Sequence, residues 1–303
     1  MYVTPSAPLS IGGVIDDGIR LYRESFRRCW LLTFLPALAF GVWGIILARN
    51  LPGYVNPYSI SPAGQMALAR QHPLSGGMIL YLVVLSLLSI SFQGALAARQ
   101  AALARGDESF TLGRAFATGF LRLPTFILSA ILVYLAMMGL IAAVMFVIAL
   151  PAGILLNRLH VVTRVAAPIG IGVLFFAAIL AFMGRVQLFM AAIYIDREGP
   201  LASLKTSWRL TKGHWWRAMA ILTTAMIILM VLYLALSIVS FLGGYLTHNG
   251  PVYRFAIAPL VLVATYTVIY PLVAAIWVAM YNDFKLRREG GDLAARVGTL
   301  NTA

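Results

Sequence analysis

The sequence predicts an all-α, polytopic membrane protein with six transmembrane helices, and three observations predict it. Of 303 residues, 61% are hydrophobic and only 11% are charged, whereas soluble globular chains carry about a quarter of charged residues. Six runs reach the roughly 20 apolar residues needed to cross the hydrocarbon core: Trp30 to Ala48, Gly77 to Ala98, Leu123 to Leu150, Val165 to Ile195, Ala218 to Leu242 and Phe255 to Met280. None of the six contains an acidic side chain.

The basic residues give the chain a direction. Eighteen of the 23 Lys and Arg fall in the N-terminal segment, 99–122, 185–217 and the C-terminal tail, leaving Arg49, Arg70, Arg158, Arg164 and Arg254 for the other side. By the positive-inside rule the richer side is cytoplasmic, and both termini lie there. All ten acidic residues share that side, so its segments have mixed charge. No cleavable leader is expected, because Asp16, Asp17, Arg20, Arg23, Glu24, Arg27 and Arg28 precede any long apolar run. Trp30, Trp208, Trp215, Trp216 and Trp277 stand near the inner ends of spans, where an amphipathic ring with an N–H group favours the headgroup level.

The elements follow in order. From Ile11 a helix places Ile11, Val14, Ile15, Ile19, Tyr22, Phe26 and Cys29 on one face and every charge from Asp16 to Arg28 on the other. On the outer side, Ser61 and Pro62 open a short helix through Arg70. A second amphipathic helix follows Ser109 as N-cap, with Thr111, Arg114, Thr118 and Arg122 opposite Phe116 and Phe120. The third has Pro200 in its first turn and an apolar stripe of Leu201, Leu204 and Trp208 flanked by Lys205, Arg209 and Lys212. Such helices lie in the interface, their basic stems along apolar surface and their charges among phosphates. Small residues at Gly41 and Gly44, Gly139 and Ala143, and Gly170 and Gly172 predict close helix packing.

Three segments share a pattern: "LARGDESFTLGRAF", "IDREGPLASLKTSW" and "LRREGGDLAARVG". Their Gly106, Gly199 and Gly290 are 93 and 91 residues apart, and a fixed period marks a repeated unit. The chain reads as one membrane domain, 1–303, of three helix-plus-hairpin units at 10–106, 107–199 and 200–290, with 291–303 as a cytoplasmic tail. Two spans per unit keep consecutive units parallel, which gives a pseudo-three-fold bundle.

No span contains Asp, Glu, His or Lys, the groups that hydrolases, metal enzymes and proton-coupled carriers concentrate in membranes. His72, His160 and His248 lie on outer loops without ligand spacing, and Cys29 is a lone thiol. No catalytic residue, cofactor or metal is assigned. Arg185, inside the fourth apolar run, has two placements. At depth it is an anion or headgroup site; at the interface it is the result of a helix that overshoots, since Val165 to Arg197 would run about 50 Å against a core of about 30 Å. The second is preferred. Arg185, Lys205, Arg209, Lys212 and Arg217 are the candidate lipid-headgroup residues, and anionic membrane lipid, rather than nucleic acid, is the partner expected for a net charge of +13. A channel or transporter along the bundle axis is the alternative, with Pro259 and Pro271 as possible helix breaks.

"SIGGVIDDGIRLYRESFRRCWLLTFLPAL", "DREGPLASLKTSWRLTKGHWWRA" and "YNDFKLRREGGDL" together resemble the membrane domain attached to some bacterial glycerophosphoryl diester phosphodiesterases and its stand-alone inner-membrane relatives of unknown function. In the fused proteins hydrolysis belongs to a separate soluble barrel with a His-Arg-Gly motif. That motif is missing here, so the resemblance implies a bacterial inner-membrane location and transfers no catalytic residue. The expected function is a non-enzymatic envelope or lipid-associated scaffold engaging anionic lipid or an envelope protein partner. The charge asymmetry makes a direct prediction. In intact cells, cysteines introduced at Ser59 or Asn157 react with an impermeant thiol reagent and those at Asp107 or Gly199 do not; labelling at Gly199 overturns the six-span topology.

Overall fold

The computed structural model describes residues 2, 4–5, 7–50, 75–146, 161–248 and 250–300, without the side chains of 161–169, 171, 174, 289 and 291–300. Among them every regular element is helical: α1 (Ile11–Asn50), α2 (Gly76–Ala104), α3 (Leu112–Leu121), α4 (Leu123–Val144), α5 (Val161–Val186), α6 (Phe189–Ile195), α7 (Pro200–Thr211), α8 (Trp215–Leu246), a π-helical turn (Tyr253–Ile257) and α9 (Ala258–Leu300). Six of the helical stretches are long and apolar enough to cross a membrane. The protein is an all-α, polytopic membrane protein. The short helix expected from Ser61 to Arg70 lies outside the described residues.

The first amphipathic segment is not a separate interfacial helix. Nothing between Arg28 and Trp30 breaks the pattern, and α1 runs unbroken for 40 residues, about 60 Å at 1.5 Å per residue. Its Val14, Ile15 and Leu21 share an apolar cluster with Leu272, Ala275, Ile276 and Ala279 of α9. A Cβ on Gly18 would come 2.8 Å from the Cα of Ile276, so the two helices touch backbone to backbone. Asp17 departs from the expected outer charged face. It is 4% exposed and accepts a 2.7 Å hydrogen bond from the Tyr2 hydroxyl.

Helix α2 completes a three-helix centre. Gln100, fully buried, donates from Nε2 to the Ser25 hydroxyl of α1 at 3.2 Å and to the Pro271 carbonyl of α9 at 3.0 Å. One amide therefore ties all three helices beside the proline of α9. Around this centre α4 and α8 stand at the periphery: Ser129 is the sole buried residue described in α4, and those of α8 are Arg217, Ala218, Ile221, Ala225 and Gly244. The apolar side chains they leave exposed are suited to lipid.

The three basic glycines differ locally. Gly106 sits in a turn at φ +76°, Gly199 is the extended N-cap of α7, and Gly290 lies inside α9. Close approach is also distributed unevenly. Gly41 packs on Val263, whereas a Cβ on Gly139, Gly170 or Gly172 would meet nothing within 4 Å, so these last three are not sites of tight packing among the described residues. At Gly119 a Cβ would overlap the Ser91 carbonyl oxygen, which belongs to rigid helix backbone. Gly119→Ala is expected to lower stability in detergent by about 1–3 kcal/mol through overpacking. Gly139→Ala, with open space, is expected to be neutral or to raise it by up to about 1 kcal/mol through helix propensity. Thermal unfolding of the two variants side by side checks both.

Candidate functional site

The fourth span is broken where the sequence suggested one overshooting helix. Helix α5 ends at Val186 and α6 starts at Phe189, which frees backbone groups that apolar surroundings do not satisfy. A hydroxyl from α7 fills the gap. Ser207 Oγ accepts from the Leu188 N–H at 3.1 Å and donates to the Arg185 carbonyl at 2.7 Å, and Thr211 Oγ1 donates to the same carbonyl at 3.3 Å.

This joint decides which way α7 faces. Ser203, Thr206, Ser207, Leu210 and Thr211 are buried, so its largely hydroxyl face is turned to the protein. The apolar stripe is turned away from it, with Leu201 63% and Trp208 44% exposed. Lys205, Trp208, Arg209 and Lys212 stand on one side of the helix at i, i+3, i+4 and i+7, and all four are exposed. Arg185 is half-buried at the end of α5 and completes the group, its guanidinium carbon 4.5 Å from the centroid of the Trp208 ring. A guanidinium over an indole face is attracted by the ring quadrupole.

The platform under this patch is fixed from three sides. Arg122, between α3 and α4, donates to the Arg197 carbonyl at 2.6 Å. Asp196 accepts from the Tyr281 hydroxyl and from Lys285 Nζ at 2.7 Å, both on α9. Arg288 Nε donates to the Arg209 carbonyl at 3.1 Å. Arg197 itself holds φ at +57°, a left-handed conformation uncommon outside glycine. Its carbonyl is then the acceptor Arg122 uses.

Arg217, the fifth candidate, is committed elsewhere. Its side chain is 9% exposed and pairs with Asp283, 1% exposed, at 3.0 Å. Asp283 also accepts from Arg287 Nε at 3.0 Å and from the Leu9 N–H at 2.8 Å, while both arginines donate to the Leu9 carbonyl. Arg217 therefore serves the interior and leaves the headgroup set. Sequence reading also missed Arg99, which is 8% exposed with Nε and Nη1 buried and unpartnered among the described residues. In the sequence it is simply one of the basic residues of 99–122 on the cytoplasmic side. In the turn after α2, Asp107 accepts from the Ser109 hydroxyl at 2.6 Å, and this hydrogen bond holds its carboxyl below the usual carboxylate range.

Among the described residues no three His, Cys, Asp or Glu side chains form a metal-binding group; His72 and His160 lie outside them. The family model of a domain of unknown function, DUF7847, matches residues 65–284, well over half of the chain. The chain belongs to the DUF7847 family. The DUF7847 match takes in Arg185, α7, Arg217 and Asp283 and leaves out α1 and Leu9. No curated protein and no solved structure matches the chain.

The two kinds of arginine separate by stability. Arg217→Gln takes from a buried carboxylate its charged partner on α8, and breaking such a pair costs about 3–5 kcal/mol. Arg185→Gln loses a partly exposed cation–π contact of about 0.5–1 kcal/mol. Unfolding midpoints in detergent are expected to fall clearly for the first and barely for the second.

Proposed function

We propose that this DUF7847 protein is a non-enzymatic scaffold of the bacterial inner membrane whose α7 patch holds anionic lipid headgroups. The observation that carries the reading is the orientation of α7. A helix that turns its hydroxyl face inward and presents Leu201 and Trp208 among Lys205, Arg209 and Lys212 has the composition of a surface that dips apolar groups into the acyl boundary while its cations meet phosphates. Arg185 adds a fourth cation from the end of α5, beneath the Trp208 ring.

The placement of both termini in the cytoplasm follows from the Lys and Arg asymmetry. The three-unit arrangement, the likeness to the membrane domain of glycerophosphoryl diester phosphodiesterases and an envelope protein as further partner belong to the same proposal. A carrier is the second reading, and it draws on one feature. Thr33, Ser89, Gln93 and Tyr270 line a crevice beside Pro36 between α1, α2 and α9. Its volume is about 10 Å³, room for about one water. The scaffold reading is the stronger of the two.

Replacing Lys205, Arg209 and Lys212 together by Gln is the test. Each charge contributes about 1 kcal/mol near an anionic surface, so the triple variant is expected to insert normally, keep its unfolding midpoint and lose at least ten-fold of its co-purifying anionic lipid by native mass spectrometry. Retention of the wild-type lipid complement refutes the headgroup role of α7.

A further inference from the structure

Four charged residues are buried among those described: Asp17, Arg99, Arg217 and Asp283. Arg217 and Asp283 pair with each other, and Asp17 accepts from the Tyr2 hydroxyl. Among the described residues Arg99 has neither a hydrogen bond nor an ion pair, and its Nε and Nη1 are shut in without an acceptor. A buried cation in that state is strongly unfavourable. An orphaned buried donor calls for an acceptor, and a bound ion is one source of it.

The walls around Arg99 explain why no side chain answers it. On α2 it interrupts a face of Phe92, Ala95, Leu96 and Ala102, spaced as neighbours on one side of a helix. These four belong to one apolar cluster with Cys29 and Leu32 of α1, Phe110 and Ala115 of α3. Such walls accommodate the stem of an arginine and offer its head nothing. Arg28 brings a second cation to this corner, since its charge and that of Arg99 both reach the Cys29 thiol. Arg28 is matched by Glu108 at 2.7 Å, in a pair whose side chains are 52% and 66% exposed. Arg99 is matched by nothing.

The guanidinium opens at one point. Nη2 also lacks a hydrogen-bond partner, but unlike Nε and Nη1 it is not enclosed. The depth of this opening follows from its neighbours. Cys29 adjoins Trp30, which is exposed, and α2 ends five residues beyond Arg99, at Ala104, about 7 Å along the axis. An exposed tryptophan at the inner end of a span marks the level of the headgroups. Phosphate groups are found at that depth, and a guanidinium suits a phosphate better than any other side chain because its planar fork can donate two parallel hydrogen bonds.

We propose that Arg99 is the core of a phosphate-binding site between α1, α2 and α3. Nη2 is the first contact, and a rotamer shift of the side chain toward the opening brings a second donor to the phosphate. The phosphate belongs to a phospholipid or is a free ion, the chemistry at the guanidinium being the same. The site shares no residue with the α7 patch and does not rest on the reading given to that patch.

Thermal unfolding of the full chain in an uncharged, phosphate-free detergent solution tests this. The triple Gln variant of α7 serves as the background, so that a response belongs outside that patch. The probes are phosphatidylglycerol, diacylglycerol with the same acyl chains, and inorganic phosphate. A saturable rise in the midpoint of at least about 3 °C is expected with a phosphate probe, and none with diacylglycerol. A response to the lipid but not to the ion assigns the phosphate to a headgroup; a response to the ion assigns a site that free phosphate fills. Arg99→Met, similar in length and uncharged, is expected to lose the rise while its midpoint without probe stays at or above that of the background, because an unpaired buried cation has been removed. Arg99→Gln is expected to lose the rise as well, and is the measure if Arg99→Met does not fold. No rise with either phosphate probe, an equal rise with diacylglycerol, or a full rise in either Arg99 variant overturns the proposal. A lower probe-free midpoint in both variants also overturns it, by assigning Arg99 a partner within the chain.

Discussion

The buried carboxylate of Asp283 is the group around which the basic end of the bundle is organised. A carboxylate in such a place is tolerated only with charge and hydrogen bonds supplied from close range, and here they come from three directions: Arg217 on α8, Arg287 on its own helix, and the Leu9 N–H. The arginines would in turn leave donors unspent, and the Leu9 carbonyl takes one from each. The backbone of a single residue thus balances an ionic group built by two helices. The entry of the chain into α1 is fixed by this arrangement, and α1 then lies along α9 with backbone contact at Gly18.

The second organising element is a neutral one. A break in a membrane helix exposes a carbonyl and an N–H at once, and a hydroxyl is the smallest side-chain group able to serve both. Ser207 does this at the joint between α5 and α6. The result reaches further than the joint. Once the hydroxyl side of α7 is occupied, its tryptophan and its cations have only the outside to face, and Arg185 is drawn beneath that tryptophan.

The legible part of this architecture was the part written in local composition. The six spans follow from runs of apolar residues, and the patch on α7 follows from the spacing of Lys205, Arg209 and Lys212. The break after Val186 was not legible, because "RVQLFMAAIYI" contains neither proline nor glycine and the serine that sustains the break lies 19 residues beyond Leu188. The role of Arg217 was hidden for the same reason: its partner is 66 residues away, and a basic residue at the end of a span looks alike whether it meets lipid or a buried aspartate. Asp17 followed the charged side of its helix in projection. It turned inward because Tyr2, from outside the helix, supplied a donor.

The pairing of α1 with α9 joins segments that lie far apart in sequence, as the contact of Gly18 with Ile276 shows. A ribosome delivers α1 long before α9, so for most of synthesis the glycine face at Gly18 has no Ile276 to meet and Leu9 has no Asp283. Contacts between such distant segments form late, and chains that depend on them expose incomplete surfaces for longer. The newborn protein must therefore be held in a partly assembled state until α9 emerges, and a chain cut short before residue 283 would lack the bond from Leu9 to Asp283 altogether.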